Sequence, residues 1–125
     1  MGPEAKLYQK LRKNSKGIIW NRLENLSILG MPDVLGYNTF GTVFTVELKV
    51  TKGKKVRFSP HQIAWHVTHP KNTFILVEAL GQRSSKHFHL IPGSRIRELA
   101  ACGLELGTSG LELGACSLEL SSLGA

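Results

Sequence analysis

The sequence predicts an α/β domain with a mixed central β-sheet flanked by helices. Three observations carry that reading. At 125 residues the chain is long enough for one domain with one real core. Its first segment has apolar residues at helical spacing, whereas its middle is dominated by β-branched and aromatic runs. A capped helical segment then separates strand-like stretches, the pattern of a sheet that is not purely antiparallel.

The elements follow in order. Pro3 suits a first helical turn. Leu7, Tyr8 and Leu11, with Ala5, make an apolar stripe beside Lys6, Lys10, Arg12 and Lys13, so residues 3–14 are expected to be helical. Asn14-Ser15-Lys16-Gly17 ends that helix. Ile18-Ile19-Trp20 opens a strand reaching residue 23 or 24, and residues 25–32 read as a loop. Residues 33–37 form a short strand, Asn38-Thr39-Phe40-Gly41 a hairpin turn, and residues 42–50 the strongest strand of the chain. Residues 51–55 make a basic loop. Ser59-Pro60-His61-Gln62 has the form of a capping box, with Ser at the N-cap, Pro at the first helical position and Gln three residues on. It starts a helix over residues 60–69. Residues 73–80 and 86–91 read as strands and residues 94–101 as a short helix.

The composition changes after residue 101. Gly103-Leu104-Glu105-Leu106-Gly107, Gly110-Leu111-Glu112-Leu113-Gly114 and Ser117-Leu118-Glu119-Leu120-Ser121 recur every seven residues. Three such repeats are too few for a solenoid, and glycine weakens a helix by about 1 kcal/mol each. The expected division is a domain over 1–101 and a tail over 102–125 that is mobile or serves oligomerisation.

The bulk numbers narrow the partners. A formal charge of +7 favours a polyanion, nucleic acid or an anionic membrane. No apolar run reaches the roughly 20 residues a span requires, and the N-terminus lacks the layout of a secretory signal, so no membrane partner is expected. Cys102 and Cys116 have no C-x-x-C spacing, which indicates neither a disulfide framework nor a zinc site. A cytoplasmic setting follows as the default, with nucleic acid as the partner and no small-molecule substrate.

Asp33 is the only aspartate. It closes Gly30-Met31-Pro32-Asp33, fourteen residues before Glu47-Leu48-Lys49. Side chains alternate along a strand, so Glu47 and Lys49 share one face, with Val46, Leu48 and Val50 on the other. The hairpin folds Asp33 back beside Glu47. Two carboxylates that close are unfavourable unless a cation lies between them. Few oxygen ligands suit Mg²⁺, with Mn²⁺ as a substitute, and the Leu48 carbonyl is a further candidate ligand. Lys49 would orient a water or offset charge on a phosphate. Taken singly, these features have plainer meanings: E-x-K pairs decorate exposed strands, and Pro-Asp is a common turn.

Lys52, Lys54, Lys55 and Arg57 follow the Glu47–Lys49 strand directly, and Lys6, Lys10 and Lys13 line the first helix. Both clusters are candidate nucleic-acid contacts, through backbone charge rather than base reading, because no base-reading motif is present. His66 and His69 are read as surface or DNA-facing groups, with an incomplete zinc pair as the alternative. His87 and His89 alternate with Phe88 and are expected to be exposed. Trp20 and Trp65 are expected in the core.

Gly30-Met31-Pro32-Asp33, Val46-Glu47-Leu48-Lys49-Val50 and Ser59-Pro60-His61-Gln62-Ile63-Ala64-Trp65-His66 resemble the PD-(D/E)XK nuclease superfamily. The likeness is greatest to small phage Holliday junction resolvase-like and VRR-NUC-like endonucleases. It spans about residues 4–80 and is absent from the tail. It implies a restriction-endonuclease-like core and Mg²⁺-dependent cleavage of DNA, often branched DNA cut by a homodimer, in the host cytoplasm if the protein is phage-encoded. Carried over by residue, Asp33 and Glu47 become metal ligands, Lys49 the catalytic lysine and Gln62 a supporting group. Glu4 occupies the place of an acidic residue from the family's first helix, with Glu24 competing. The rival readings are a flap-cutting, nicking or single-strand nuclease of the same core, and a basic DNA-binding module without catalysis.

Overall fold

The computed structural model describes residues 2–23 and 29–125. The elements are α1 (Pro3–Lys13), β1 (Ile19–Arg22), β2 (Val34–Tyr37), β3 (Val43–Thr51), α2 (Pro60–Thr68), β4 (Thr73–Ala79), β5 (Phe88–Pro92), α3 (Ile96–Cys102) and α4 (Leu113–Ser121), with short 3₁₀ turns at Gly93–Arg95 and Gly103–Leu106. Among the described residues, five strands form one sheet in the order β1-β2-β3-β4-β5. Only β3 and β4 are parallel, and α2 makes the crossover between them. This is the mixed α/β sheet that the sequence predicts, with boundaries shifted by one or two residues.

Among the described residues, one face of the sheet and the β3–β5 part of the other are covered, which organises everything else. On one face Phe44, Val46 and Leu48 of β3 pack against Leu7, Tyr8 and Leu11 of α1 and against Leu113, Cys116 and Leu120 of α4. On the other, Ile75, Val77 and Ile91 pack against Ile96 and Leu99 of α3 and against Val56 and Leu104. Glu47 and Lys49 pair in register with Ile75 and Val77 and so belong to this second face.

Two local devices shape the region around Asp33. Gly30 has φ +80, and a Cβ there would collide with the His61 carbonyl, so only glycine lets this loop close onto the start of α2. Ser59 accepts from the Gln62 N–H, and the Gln62 side chain accepts from the Ser59 N–H, so the capping box is formed in full.

The tail departs from the expectation of a loose segment. Leu104, Leu113, Cys116 and Leu120 are buried, and Leu111 makes a β-bridge to Phe88. The Asn38 side chain donates to the carbonyls of Leu120 and Leu123, fastening the chain end to the β2–β3 turn. The leucine spacing serves this chain's own core: α1 alone cannot cover the sheet face that Phe44 and Leu48 present, and α4 completes it.

The histidines also depart from expectation. His66 is fully buried, and its Nδ1 lies 2.9 Å from the Gln62 carbonyl. Its helix neighbour His69 is exposed, stacked on Trp65 with centroids 4.0 Å apart. His89 is buried too, with Nδ1 3.0 Å from Thr108 Oγ1. Alternation along β5 moves a side chain from one core to the other rather than to solvent, because both faces are packed. Trp65 is half-buried beside His69 rather than in a core, whereas Trp20 packs edge-on against Phe44 at 5.6 Å, as expected.

Candidate active site

β3 carries Glu47 and Lys49 on one face, and the Val34↔Val46 register, continued by one residue, sets Asp33 beside Glu47. Asp33 Oδ2 accepts from the Leu48 N–H at 2.8 Å, which holds the aspartate against the strand. In an extended strand a residue's N–H and C=O leave by the same edge, so the Leu48 carbonyl also faces Asp33. From α2, Gln62 reaches both other groups. Its Nε2 donates to Glu47 Oε2 at 3.2 Å, and its Oε1 accepts from Lys49 Nζ at 3.1 Å.

The electrostatics of Glu47 are unusual. The residue is 2% exposed and its Oε1 has no hydrogen-bond partner. Burial first, then the neighbouring charge of Asp33, push the Glu47 carboxyl up to about 9; Lys49 pulls in the opposite direction, and Glu4 adds an upward push. A buried carboxyl with one free oxygen beside a second acid is a donor set that suits a hard divalent cation. Asp33, Glu47 and the Leu48 carbonyl are all oxygen donors. Among the described residues no three His, Cys, Asp or Glu side chains converge as a ready metal cage. The remaining ligands would therefore be waters or substrate oxygens, as Mg²⁺ prefers. The same observation leaves His66 and His69 without the further ligands a zinc site needs.

Beyond this centre, Glu4, Lys49, Lys52, Lys55 and Arg57 line a cleft of about 300 Å³. Glu4 thus reaches the rim of the site, exposed at the start of α1. Glu24 lies outside the described residues. The basic residues divide into groups. Lys52, Lys55 and Arg57 face the cleft. Lys54 lies 3.5 Å from Glu105, with both side chains exposed. Lys10 is engaged inside the chain, 2.6 Å from the buried Glu78, with His87 on the same carboxylate at 3.5 Å. Lys13 lies at the far end of α1, in a groove with Lys16 and α4. Lys6 is exposed on α1.

Two neighbours of the site were not singled out from the sequence. The Phe58 ring lies under Lys49, with Nζ 5.0 Å from its centroid, and holds the ammonium over the cleft. Thr45, in the same row as Glu47, has a buried hydroxyl without a partner. Phe58 carries no local signal beyond its place between a basic run and a helix cap. Thr45 could have been found from the alternation that exposed Glu47 and Lys49.

Neither a protein-family model nor a curated protein sequence matches the chain. Solved structures do match. The structure of Hjc from Archaeoglobus fulgidus, described as a Holliday junction resolvase from an archaeal hyperthermophile, superposes with a TM-score of 0.58. The match covers 94% of this chain and 97% of that one, at 17% sequence identity. It includes the tail region, so the likeness in space extends beyond the three sequence blocks. The chain has a restriction-endonuclease-like α/β fold, and a structural neighbour sharing that fold is described as a Holliday junction resolvase.

Proposed function

We propose that this protein is a divalent-metal-dependent DNA endonuclease that hydrolyses phosphodiester bonds in branched DNA, acting as a Holliday junction resolvase. One observation carries the reading above all: the buried Glu47 carboxyl with an unpartnered oxygen, set beside Asp33 and bridged to Lys49 by Gln62. A purely structural acid pair in that position would carry a cost of burial and mutual repulsion that Gln62 and Lys49 offset only in part. The likeness in fold to a junction resolvase supports the same reading.

Asp33, Glu47 and the Leu48 carbonyl would hold the cation, Mg²⁺ by preference and Mn²⁺ as a substitute. When bound, such an ion supplies Lewis acidity, neutralising charge on phosphate oxygens and acidifying water. The chain's own groups have separate tasks. Lys49 sets a positive charge at the edge of the site, where negative charge grows on the phosphate during attack. Gln62 fixes the Lys49 ammonium and the Glu47 carboxylate relative to each other. Phe58 limits where Lys49 can swing. Lys52, Lys55 and Arg57 would guide the DNA backbone along the cleft, with Glu4 at its rim. Lys54, Lys6 and Lys13 would contribute at longer range, and Lys10 less, because Glu78 already holds it. Resolution of a junction takes two paired cuts, and one chain offers one such site, so the working unit would be a homodimer.

The test is a parallel assay on four-way junctions, flaps and linear duplex, each with Mg²⁺, Mn²⁺ or a chelator. Preference for the four-way junction, with symmetric paired cuts, is the expected result. Equal cutting of all three discards the resolvase reading but keeps the nuclease. Binding without cutting in either metal leaves a non-catalytic DNA-binding module.

A further inference from the structure

Among the described residues, three buried side-chain atoms of β3 and α2 lack a hydrogen-bond partner: Thr45 Oγ1, Glu47 Oε1 and His66 Nε2. Buried polar atoms are nearly always satisfied, by protein or by ordered water, so three on neighbouring elements call for a common cause.

The three face one small space. Thr45 and Glu47 alternate on β3 with the core residues, so both face α2. Helix α2 runs back along β3 to the start of β4, with Gln62 on Glu47 and Lys49 and with His66 one turn further on. A helical turn advances about 5.4 Å and two strand residues about 6.6 Å, so His66 stands over Thr45 as Gln62 stands over Glu47. Gly93 gives an independent check. A Cβ there would run into both the His66 ring at Cδ2 and the Thr73 hydroxyl, and Thr73 is the β4 partner of Thr45. His66 Nδ1 is turned to the Gln62 carbonyl of its own helix at 2.9 Å, which sends Nε2 away from α2 towards the sheet.

The tautomer follows from that contact. A carbonyl only accepts, so Nδ1 carries the proton and the neutral ring presents Nε2 as an acceptor. Burial lowers the His66 pKa, which keeps the ring neutral. Ionised Glu47, the form that holds a cation, is an acceptor too. Two acceptors need two donated hydrogens, and the Thr45 hydroxyl has one to give. A single water meets all three: it donates to Glu47 Oε1 and to His66 Nε2 and accepts from the Thr45 hydroxyl. That makes about three bonds, the usual number for a buried water. A second cation fits less well, because among the described residues no third acidic or imidazole side chain joins Glu47 and His66.

We propose that Thr45 and His66 hold a buried water on Glu47 Oε1 and thereby act as positioning residues for the cation. The role rests on the nuclease reading for its cation; the water site follows from the unpaired atoms alone. Gln62 fixes Oε2 and the water fixes Oε1, so the carboxylate is held at both ends against turning away from Asp33. Each carboxylate oxygen has two lone pairs, which leaves one on Oε1 for the ion.

The test uses the full chain as wild type, Thr45→Val, Thr45→Ser and His66→Leu, with folding checked by circular dichroism. Thr45→Val keeps the side-chain shape and removes only the hydroxyl, so it decides the matter even if His66→Leu does not fold. Nuclear Overhauser contacts between water and the His66 ring are recorded with isotope-labelled histidine in Mg²⁺, and Mn²⁺ binding is measured by electron paramagnetic resonance. The wild type should show a long-lived water against the ring and the proton on Nδ1. Thr45→Val should lose the water and weaken Mn²⁺ binding by about 10–100-fold, the usual loss when a partner of a metal ligand is removed. His66→Leu, where folded, should weaken Mn²⁺ binding to the same degree, and Thr45→Ser should restore both water and affinity. A wild type without the water contact, or with the proton on Nε2, overturns the site. Folded Thr45→Val that binds Mn²⁺ as the wild type does overturns the positioning role. Strand cleavage is scored separately. A wild type that shows the water but neither binds Mn²⁺ nor cuts sinks the nuclease reading and leaves the water site standing; one that cuts without the water does the reverse.

Discussion

Gln62 holds Glu47 and is itself held by the first turn of its own helix: its Nε2 donates to Glu47 Oε2 at 3.2 Å, while its Oε1 accepts from the Ser59 N–H at 3.0 Å. The same Oε1 also receives Lys49. The capping box is thus part of the site as well as a helix start. Gln62→Ala should slow single-turnover cleavage by about 10–100-fold, the usual loss when an orienting partner is removed. Ser59→Ala weakens the cap while sparing the Gln62 side chain. It should lower stability by about 1 kcal/mol with a much smaller loss of rate. Equal rate losses in the two variants would mean that Gln62 acts only through the helix.

The Glu47 carboxyl gives the metal-free protein a pH signature. Its folded value, about 9, lies above its unfolded value of 4.5, so the folded state holds a proton that the unfolded state has released. Between those two values stability must fall as pH rises. One pKa unit is worth about 1.4 kcal/mol, so even a single unit would move Tm by about 4 °C. Melting in a chelator should show Tm dropping from pH 5 towards pH 9, with a flatter profile for Glu47→Gln. Added Mg²⁺ should raise Tm more at pH 8 than at pH 5. A wild-type profile as flat as the variant's contradicts this.

Basic residues should separate by where the structure puts them. Alanine at Lys52, Lys55 or Arg57 should weaken junction binding about equally for all sequences, and each should reduce the salt slope by about 1. Lys54→Ala should do less. Lys10→Ala should act on folding instead. It strips the nearest cation from buried Glu78, at a cost of about 1–2 kcal/mol because Lys10 itself is half exposed. Fluorescence titration at several salt concentrations, beside urea melts, distinguishes the two classes.

The fold was largely legible in the sequence because its strongest signals are local. The β-branched run of β3, the capping box at Ser59 and the stripe of α1 each need only neighbouring residues. The grouping of Asp33, Glu47, Lys49 and Gln62 was legible for a related reason: a hairpin and strand alternation carry the first three to one place. What failed was burial. His66 and His89 look like surface groups in a polar sequence, yet both lie in cores, because sheet coverage on both sides is a property of the whole chain. The packing of the tail was hidden for the same reason. Its glycines suggest mobility, and only the uncovered face of β3 explains why Leu113 and Leu120 pack there. Phe58 has no sequence signal of its own, because its role depends on the position of its ring beneath Lys49.

The tail therefore makes its own prediction. Leu120 is fully buried beside Leu7 and Phe44 in one core. Leu120→Ala should destabilise the whole domain by about 2–4 kcal/mol, in one cooperative urea transition. A variant that melts like the wild type would mean that the tail folds and unfolds apart from the sheet.

The most direct test of the site is single-turnover strand cleavage on a labelled four-way junction, comparing the wild type with Glu47→Gln and Asp33→Asn as Mg²⁺ is titrated. The expected result is metal-dependent cutting by the wild type, at least about a hundredfold loss in each variant, and junction binding retained by all three. Cutting by Glu47→Gln at the wild-type rate, or wild-type cutting that persists in chelator, would contradict a shared cation between Asp33 and Glu47.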